Sequence, residues 1–170
     1  QGTEAVQRSL QLPREGFYTS AVIQESVAFK SMIVQQDPFD HTVRQTLNLG
    51  HSIGHAIESY SLSTDTPLLH GEAVMLGLIY ELMISHCLLN LPLTLVEEIC
   101  QFKKRIFPQL YFPFSFEDIK ALILNDKKND AEIRMSLLQH PGDCQWQIPV
   151  TRSQLKNALE AVHEMPTFNE

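Results

Sequence analysis

The sequence predicts a mainly α-helical domain with one small β-hairpin near residues 132–150. Three observations predict it. Apolar residues recur at helical spacing through most of the chain. Strand-like runs flank a single turn sequence, His140-Pro141-Gly142-Asp143, a pattern that favours a hairpin. A content of 44% hydrophobic against 19% charged residues over 170 positions supplies enough apolar surface for one globular domain or two small subdomains. Such a balance excludes a disordered chain.

Residues before Ser20 include Pro13 and Gly16 and are expected to be poor helix. Over 20–36, Val22, Ile23, Val27, Phe29, Ile33 and Val34 fall at mostly helical spacing, so an amphipathic helix is expected there. Asp37-Pro38 ends it, because a residue before proline is pushed out of the α region. A second helix is expected over 42–59, with Thr42 as its cap. At about 100° per residue, Arg44, Asn48, His51 and His55 share one narrow arc of that helix, with Val43, Leu47, Ile53 and Ile57 on the other side. Gly50 and Gly54 lie among the apolar positions; each costs a helix about 1 kcal/mol relative to Ala, which close backbone packing would offset.

Residues 61–69, rich in Ser, Thr and Asp with Pro67, read as a loop that delivers His70-Gly71-Glu72 to a third, almost wholly apolar helix. Glu81, Ser85 and His86 interrupt its apolar run, so it is expected to be a buried core helix and not a membrane span. Further helices are expected near 94–107 and 115–125, strands at EIRMSLLQ and CQWQIPV, and a last helix capped by Ser153 and ending near Met165.

The formal charge of −7 is spread along the chain, and the longest basic cluster is the short stripe Lys103-Lys104-Arg105. Nucleic acid and membrane are therefore not expected partners. Cys87, Cys100 and Cys144 are an odd number at wide spacing, read as reduced thiols of a cytoplasmic protein.

Two histidines at i and i+4, His51 and His55, can chelate one divalent ion, and His70 can add a ligand from the loop–helix junction. A bare pair of this kind is a weak signal. Arg44 and Asn48 on the same stripe strengthen it, since a polar stripe on an otherwise buried helix has few structural uses. His41, His86, His140 and His163 read as surface, turn or helix-end residues. Lys30 reads as a snorkelling side chain, and the lysines of Asp126-Lys127-Lys128-Asn129 as complements to a helix end.

Asp37-Pro38 with Asp40, then Arg44, LNLGHSIGHAIES over 47–59, LLHGEAV over 68–74 and DKKN over 126–129 resemble the motifs of the dehydroquinate synthase family, in family order. The resemblance covers roughly residues 20–160. It implies a two-domain, shikimate-pathway lyase whose active site lies between an N-terminal NAD-binding α/β domain and a helical C-terminal domain. On that reading residues 1–170 are the C-terminal metal- and substrate-binding domain of the dehydroquinate synthase-like fold, and the NAD-binding domain lies outside this chain, which carries no Gly-rich phosphate loop. The substrate implied is a seven-carbon keto-sugar phosphate, 3-deoxy-arabino-heptulosonate 7-phosphate, cyclised with transient NAD redox and loss of phosphate.

By the same resemblance His51 and His70 are two of three protein ligands to a catalytic zinc, or to another divalent ion such as cobalt; the third, a glutamate, has no counterpart here. His55 is implied in proton transfer, which suits an imidazole. Lys30, Arg44, Asn48 and Lys127 match positions that bind the substrate's anionic groups or line that pocket. Asp40 matches a catalytic position that usually holds glutamate, one methylene longer. The partners implied are a small sugar phosphate and the missing N-terminal domain, with a homodimer left open. Another sugar-phosphate cyclase of the deoxy-inosose synthase type, a metal-dependent polyol dehydrogenase, and a non-catalytic helical interaction module are the competing readings.

Overall fold

A computed structural model describes residues 2–124 and 133–169. In chain order its elements are α1 (Thr3–Gln11), a 3-10 turn (Arg14–Tyr18), α2 (Ser20–Gln36), a 3-10 turn (Val43–Asn48), α3 (His51–Ser61), α4 (His70–Leu89), α5 (Leu93–Ile106), α6 (Phe116–Leu124), β1 (Ile133–His140), β2 (Asp143–Val150), α7 (Arg152–Glu164) and α8 (Pro166–Asn169). The expected mainly helical fold with one hairpin is present. The DKKN segment, including Lys127, lies outside the described residues.

Helix α4 is the axis of the core. Ten of its residues are buried, and α3, α5, α7 and β1 pack around it. It is long and apolar enough to cross a membrane, but Leu76, Ile79, Tyr80 and Ile84 are enclosed by Ile53 and Ile57 of α3, Val96 of α5, Leu137 of β1 and Leu159 of α7. Burying each such side chain contributes about 1.5–3 kcal/mol. The partners, and not the helix's own amphipathicity, therefore decide its place.

Where α3 crosses α4, glycine sets the distance. A Cβ on Gly54 would meet Val74 Cα at 3.0 Å, and one on Gly77 would lie 2.2 Å from Gly50 O and 2.4 Å from Gly54 N. The close packing expected at Gly50 and Gly54 is thus met by a third glycine on the facing helix.

Strands β1 and β2 pair antiparallel from His140↔Asp143 to Ile133↔Val150 around the two-residue loop Pro141-Gly142, and the register shifts twice along the ladder. Gly142 has φ +94°, a left-handed conformation that suits glycine. β1 buries three successive residues, Met135, Ser136 and Leu137, because α4 covers one face and the 3-10 turn at Val43–Asn48 the other. Across those faces Ser85 Oγ of α4 accepts the Leu138 N–H at 3.0 Å, and Ser136 Oγ donates to Gln45 O at 2.7 Å.

Several expectations are corrected. The segment before Ser20 does contain helix, over Thr3–Gln11, because Pro13 and Gly16 lie beyond it in the sequence. The last helix is capped by Thr151, whose hydroxyl accepts the Gln154 N–H at 3.3 Å while the Gln154 side chain accepts the Thr151 N–H at 2.8 Å; Ser153 is inside the helix. His163 is no surface residue. Its Nε2 is 2.8 Å from the Tyr80 hydroxyl and its ring packs on Phe114 and Phe168, with burial lowering its pKa. His86 is half-buried, its Nδ1 2.7 Å from Leu91 O.

Candidate metal and substrate site

The helix expected over 42–59 is two pieces. A 3-10 turn ends at Asn48, Gly50 takes φ +82°, and α3 begins afresh at His51. Glycine permits that left-handed residue at little cost, and the break puts Arg44 and Asn48 on a different axis from His51 and His55. Gly50 offers no side chain to cap α3. The cap comes from α4 instead: Glu81, fully buried, accepts the Gly50 N–H at 2.5 Å and the Ile53 N–H at 3.0 Å. Burial pushes the Glu81 carboxyl up to about 8, against the opposing pull of the Ile53, Gly50 and Ser52 amides. A carboxyl 28 residues on from Ile53 thus fixes the start of the helix that carries the histidines.

His51 and His55 project from one side of α3, and His70 opens α4 against them. Their ring centroids form a near-equilateral triangle of 5.4, 5.6 and 5.6 Å, and one nitrogen from each ring lies within 4.8 Å of the others. His51 is half-buried; His55 and His70 are exposed.

The groups behind the rings differ. His51 Nδ1 is 3.2 Å from Leu49 O, and His70 Nδ1 is 3.0 Å from Glu58 Oε2. A carbonyl and a carboxylate can only accept, so each ring donates from Nδ1, which leaves Nε2 as the nitrogen each could offer a metal ion. Histidine metal ligands are commonly held by such an outer acceptor. Among the described residues no hydrogen bond restrains the His55 ring. The donor set fits a divalent ion that takes imidazole nitrogen.

A cleft of about 280 Å³ adjoins the cluster, lined by Gln45, Asn48, His51, Ser52 and His55 from one side and by Arg134, Met135, Ser136 and Gln147 of the hairpin from the other. Of the residues expected at the site, Asn48, His51 and His55 share this cleft and His70 adjoins it. Of the three expected cations, the two within the described residues are placed elsewhere. Arg44 donates from Nη1 to Pro38 O at 3.0 Å. Lys30 on α2 lines another cleft, with Arg8, Phe29 and Leu47. Asp40 is exposed with φ +58°, and its carbonyl accepts from Gln45 Nε2 at 3.0 Å.

Asp37 organises that loop. It is buried and accepts the N–H groups of His41, Thr42 and Arg44 at 3.1, 2.6 and 3.1 Å. Burial pushes its carboxyl up, but those amide bonds outweigh it and hold the pKa down at about 2. Sequence reasoning missed Glu58, Glu81 and Arg134. Only Glu81 left a legible signal, as an acid inside an apolar helical run.

The family described as 3-dehydroquinate synthase C-terminal matches residues 3–129. Among similar proteins, a 3-dehydroquinate synthase of Parabacteroides distasonis is 35% identical over 149 residues, covering 86% of this chain and 42% of that protein. The Staphylococcus saprophyticus enzyme of the same name is 36% identical over 138 residues, covering 80% and 37%. The chain thus spans about two-fifths of the length of these relatives. Two solved structures share the fold. A 2-deoxy-scyllo-inosose synthase complexed with carbaglucose-6-phosphate, NAD+ and Co2+ superposes with a TM-score of 0.70 at 23% identity, covering 82% of this chain and 40% of that one. A 2-epi-5-epi-valiolone synthase of Streptomyces hygroscopicus with NAD+ and Zn2+ bound gives 0.70 at 21% identity, covering 95% and 43%.

Proposed function

The chain belongs to the 3-dehydroquinate synthase C-terminal family, and on that premise we propose that it is the metal- and substrate-binding half of a cytoplasmic lyase converting 3-deoxy-arabino-heptulosonate 7-phosphate to 3-dehydroquinate and phosphate. The observation that carries this reading is the triangle of His51, His55 and His70 beside a polar cleft. His51 and His70 would hold the ion, each ring steadied by the acceptor at its Nδ1. His55, with no such restraint, is free to move a proton at its ring nitrogen.

When bound, zinc or cobalt supplies Lewis-acid polarisation of substrate hydroxyls and NAD supplies reversible oxidation. The protein's own groups do the rest. Asn48 orients a hydroxyl or carbonyl in the cleft it shares with the histidines. Lys30, Arg44 and Lys127 bind the substrate's phosphate and carboxylate once the partner domain closes the site, because cations suit those groups. Asp40 assists proton transfer from the loop that Asp37 fixes. NAD sits mainly on a partner domain. Helix α2 supports such a partner: only Ile33 of it is buried, and Ile23, Val27 and Met32 stand exposed.

The test is a cobalt or zinc titration of single variants, followed by visible absorption or chelator competition. His51→Ala and His70→Ala are expected to lose affinity by more than the roughly 10–100-fold that outer-shell changes cost. His55→Ala should keep its metal and, in the enzyme assembled with its cofactor domain, lose turnover by roughly 10²–10⁴-fold. Loss of metal in His55→Ala with retention in His70→Ala would overturn the assignment.

A further inference from the structure

The hairpin reaches the histidine cleft by a built route. Ser136 Oγ donates to Gln45 O at 2.7 Å, and Gln147 Nε2 donates to Gln45 Oε1 at 2.6 Å. Both strands are therefore pinned to the 3-10 turn that leads into His51. Between the pairs Met135↔Ile148 and Leu137↔Gln145 the register shifts, so that Trp146 and Gln147 together face the single residue Ser136. Bulges of this kind re-aim side chains, often beside active sites. At the bulge Gln147 adopts φ +60°, a conformation unfavourable for an L side chain, and its carbonyl accepts from Arg134 Nη1 at 3.1 Å.

The outcome is a tethered guanidinium lining the same cleft as Asn48, His51 and His55. We propose that Arg134 is an anion-binding residue of this cleft, holding the carboxylate or phosphate end of the substrate beside His55. The proposal rests on the cleft being a substrate site. Only one of the five guanidinium N–H groups is used on Gln147, and among the described residues no carboxylate pairs with Arg134. None of the described lining residues is acidic. Arg44 is turned to Pro38 O and Lys30 lines another cleft, so Arg134 is the described cation that shares this cleft with the histidines. A planar fork steadied through Nη1 is preorganised for an oxyanion in a way that a lysine is not.

The test uses the 170-residue chain with two probes, inorganic phosphate and cyclohexanecarboxylate, each titrated while the Arg134 Nε–H and the His55 ring are followed by NMR. Zinc affinity is measured on the same samples. One of the two anions is expected to shift both signals in the wild type, and the one that does identifies the end of the substrate held there. Arg134→Gln should weaken that anion by roughly tenfold or more, Arg134→Lys by less, and neither should change zinc affinity. Equal anion binding by wild type and Arg134→Gln, or no response of Arg134 to either probe, would overturn the proposal. Should zinc fail to bind while an anion still moves Arg134, the metal reading falls and the anion site stands.

Discussion

Glu58 lies 3.0 Å behind His70 and the Leu49 carbonyl 3.2 Å behind His51, and neither contact is visible as a spacing in the sequence. The i, i+4 rule puts His51 beside His55 but is blind to which ring is braced. On the proposed function, that brace separates a ligand from a mobile acid–base group. Glu58→Ala is therefore expected to weaken zinc binding by roughly 10–100-fold, with Glu58→Gln intermediate because its amide oxygen can still accept. A chromophoric chelator competition measures it. Because Glu58 is only partly buried, the thermal midpoint should barely move, and unaltered zinc affinity in Glu58→Ala would remove the residue from the site. Asp40 and Arg44 illustrate the same blindness: both lie in a recognisable motif, yet a left-handed backbone at Asp40 and a bond to Pro38 O at Arg44 set where they stand.

At the scale of elements, the helix expected over 42–59 breaks at Gly50 because tertiary contacts outcompete local periodicity. The backbone of α3 must approach α4 at Gly77, and a Glu81 cap rewards a new helix start. Gly77→Ala would push a methyl into Gly50 O and Gly54 N, backbone atoms with nowhere to go. The expected cost is about 1–3 kcal/mol or more, read as a fall of roughly 2–4 °C in Tm per kcal/mol for a chain of this size, together with weakened zinc binding as α3 is displaced. An unchanged Tm would show that the crossing is looser than described.

The Glu81 cap also carries a pH dependence. Its folded pKa, about 8, is above the ordinary 4.5, so the folded state favours the protonated form. Its contribution is full below about 4.5 and is lost as pH rises through about 8. Across that window the Tm of the wild type should fall relative to Glu81→Gln, which cannot ionise; parallel curves would refute the buried-carboxyl account.

At the scale of the whole molecule, the chain alone holds a histidine cluster and a cleft, and the proposed reaction also needs a nicotinamide. The 170-residue chain is expected neither to cyclise the sugar phosphate nor to bind NAD, so calorimetry with NAD should be flat. Micromolar NAD affinity would place a cofactor site in this helical domain and overturn the division of labour. By itself the sequence determined the helical class, the hairpin and its turn, the core helix after His70, and the histidines that converge, because these follow from periodicity, turn chemistry and motif spacing, all local properties of the chain. Tertiary structure alone decided the break at Gly50, the cap from Glu81, the brace of Glu58 on His70 and the arrival of Arg134 in the cleft. Each of these joins elements distant in sequence or in orientation. A backbone amide near one helix end finds its acceptor wherever packing brings one, and no pattern within a single segment records which distant carboxylate or guanidinium that will be.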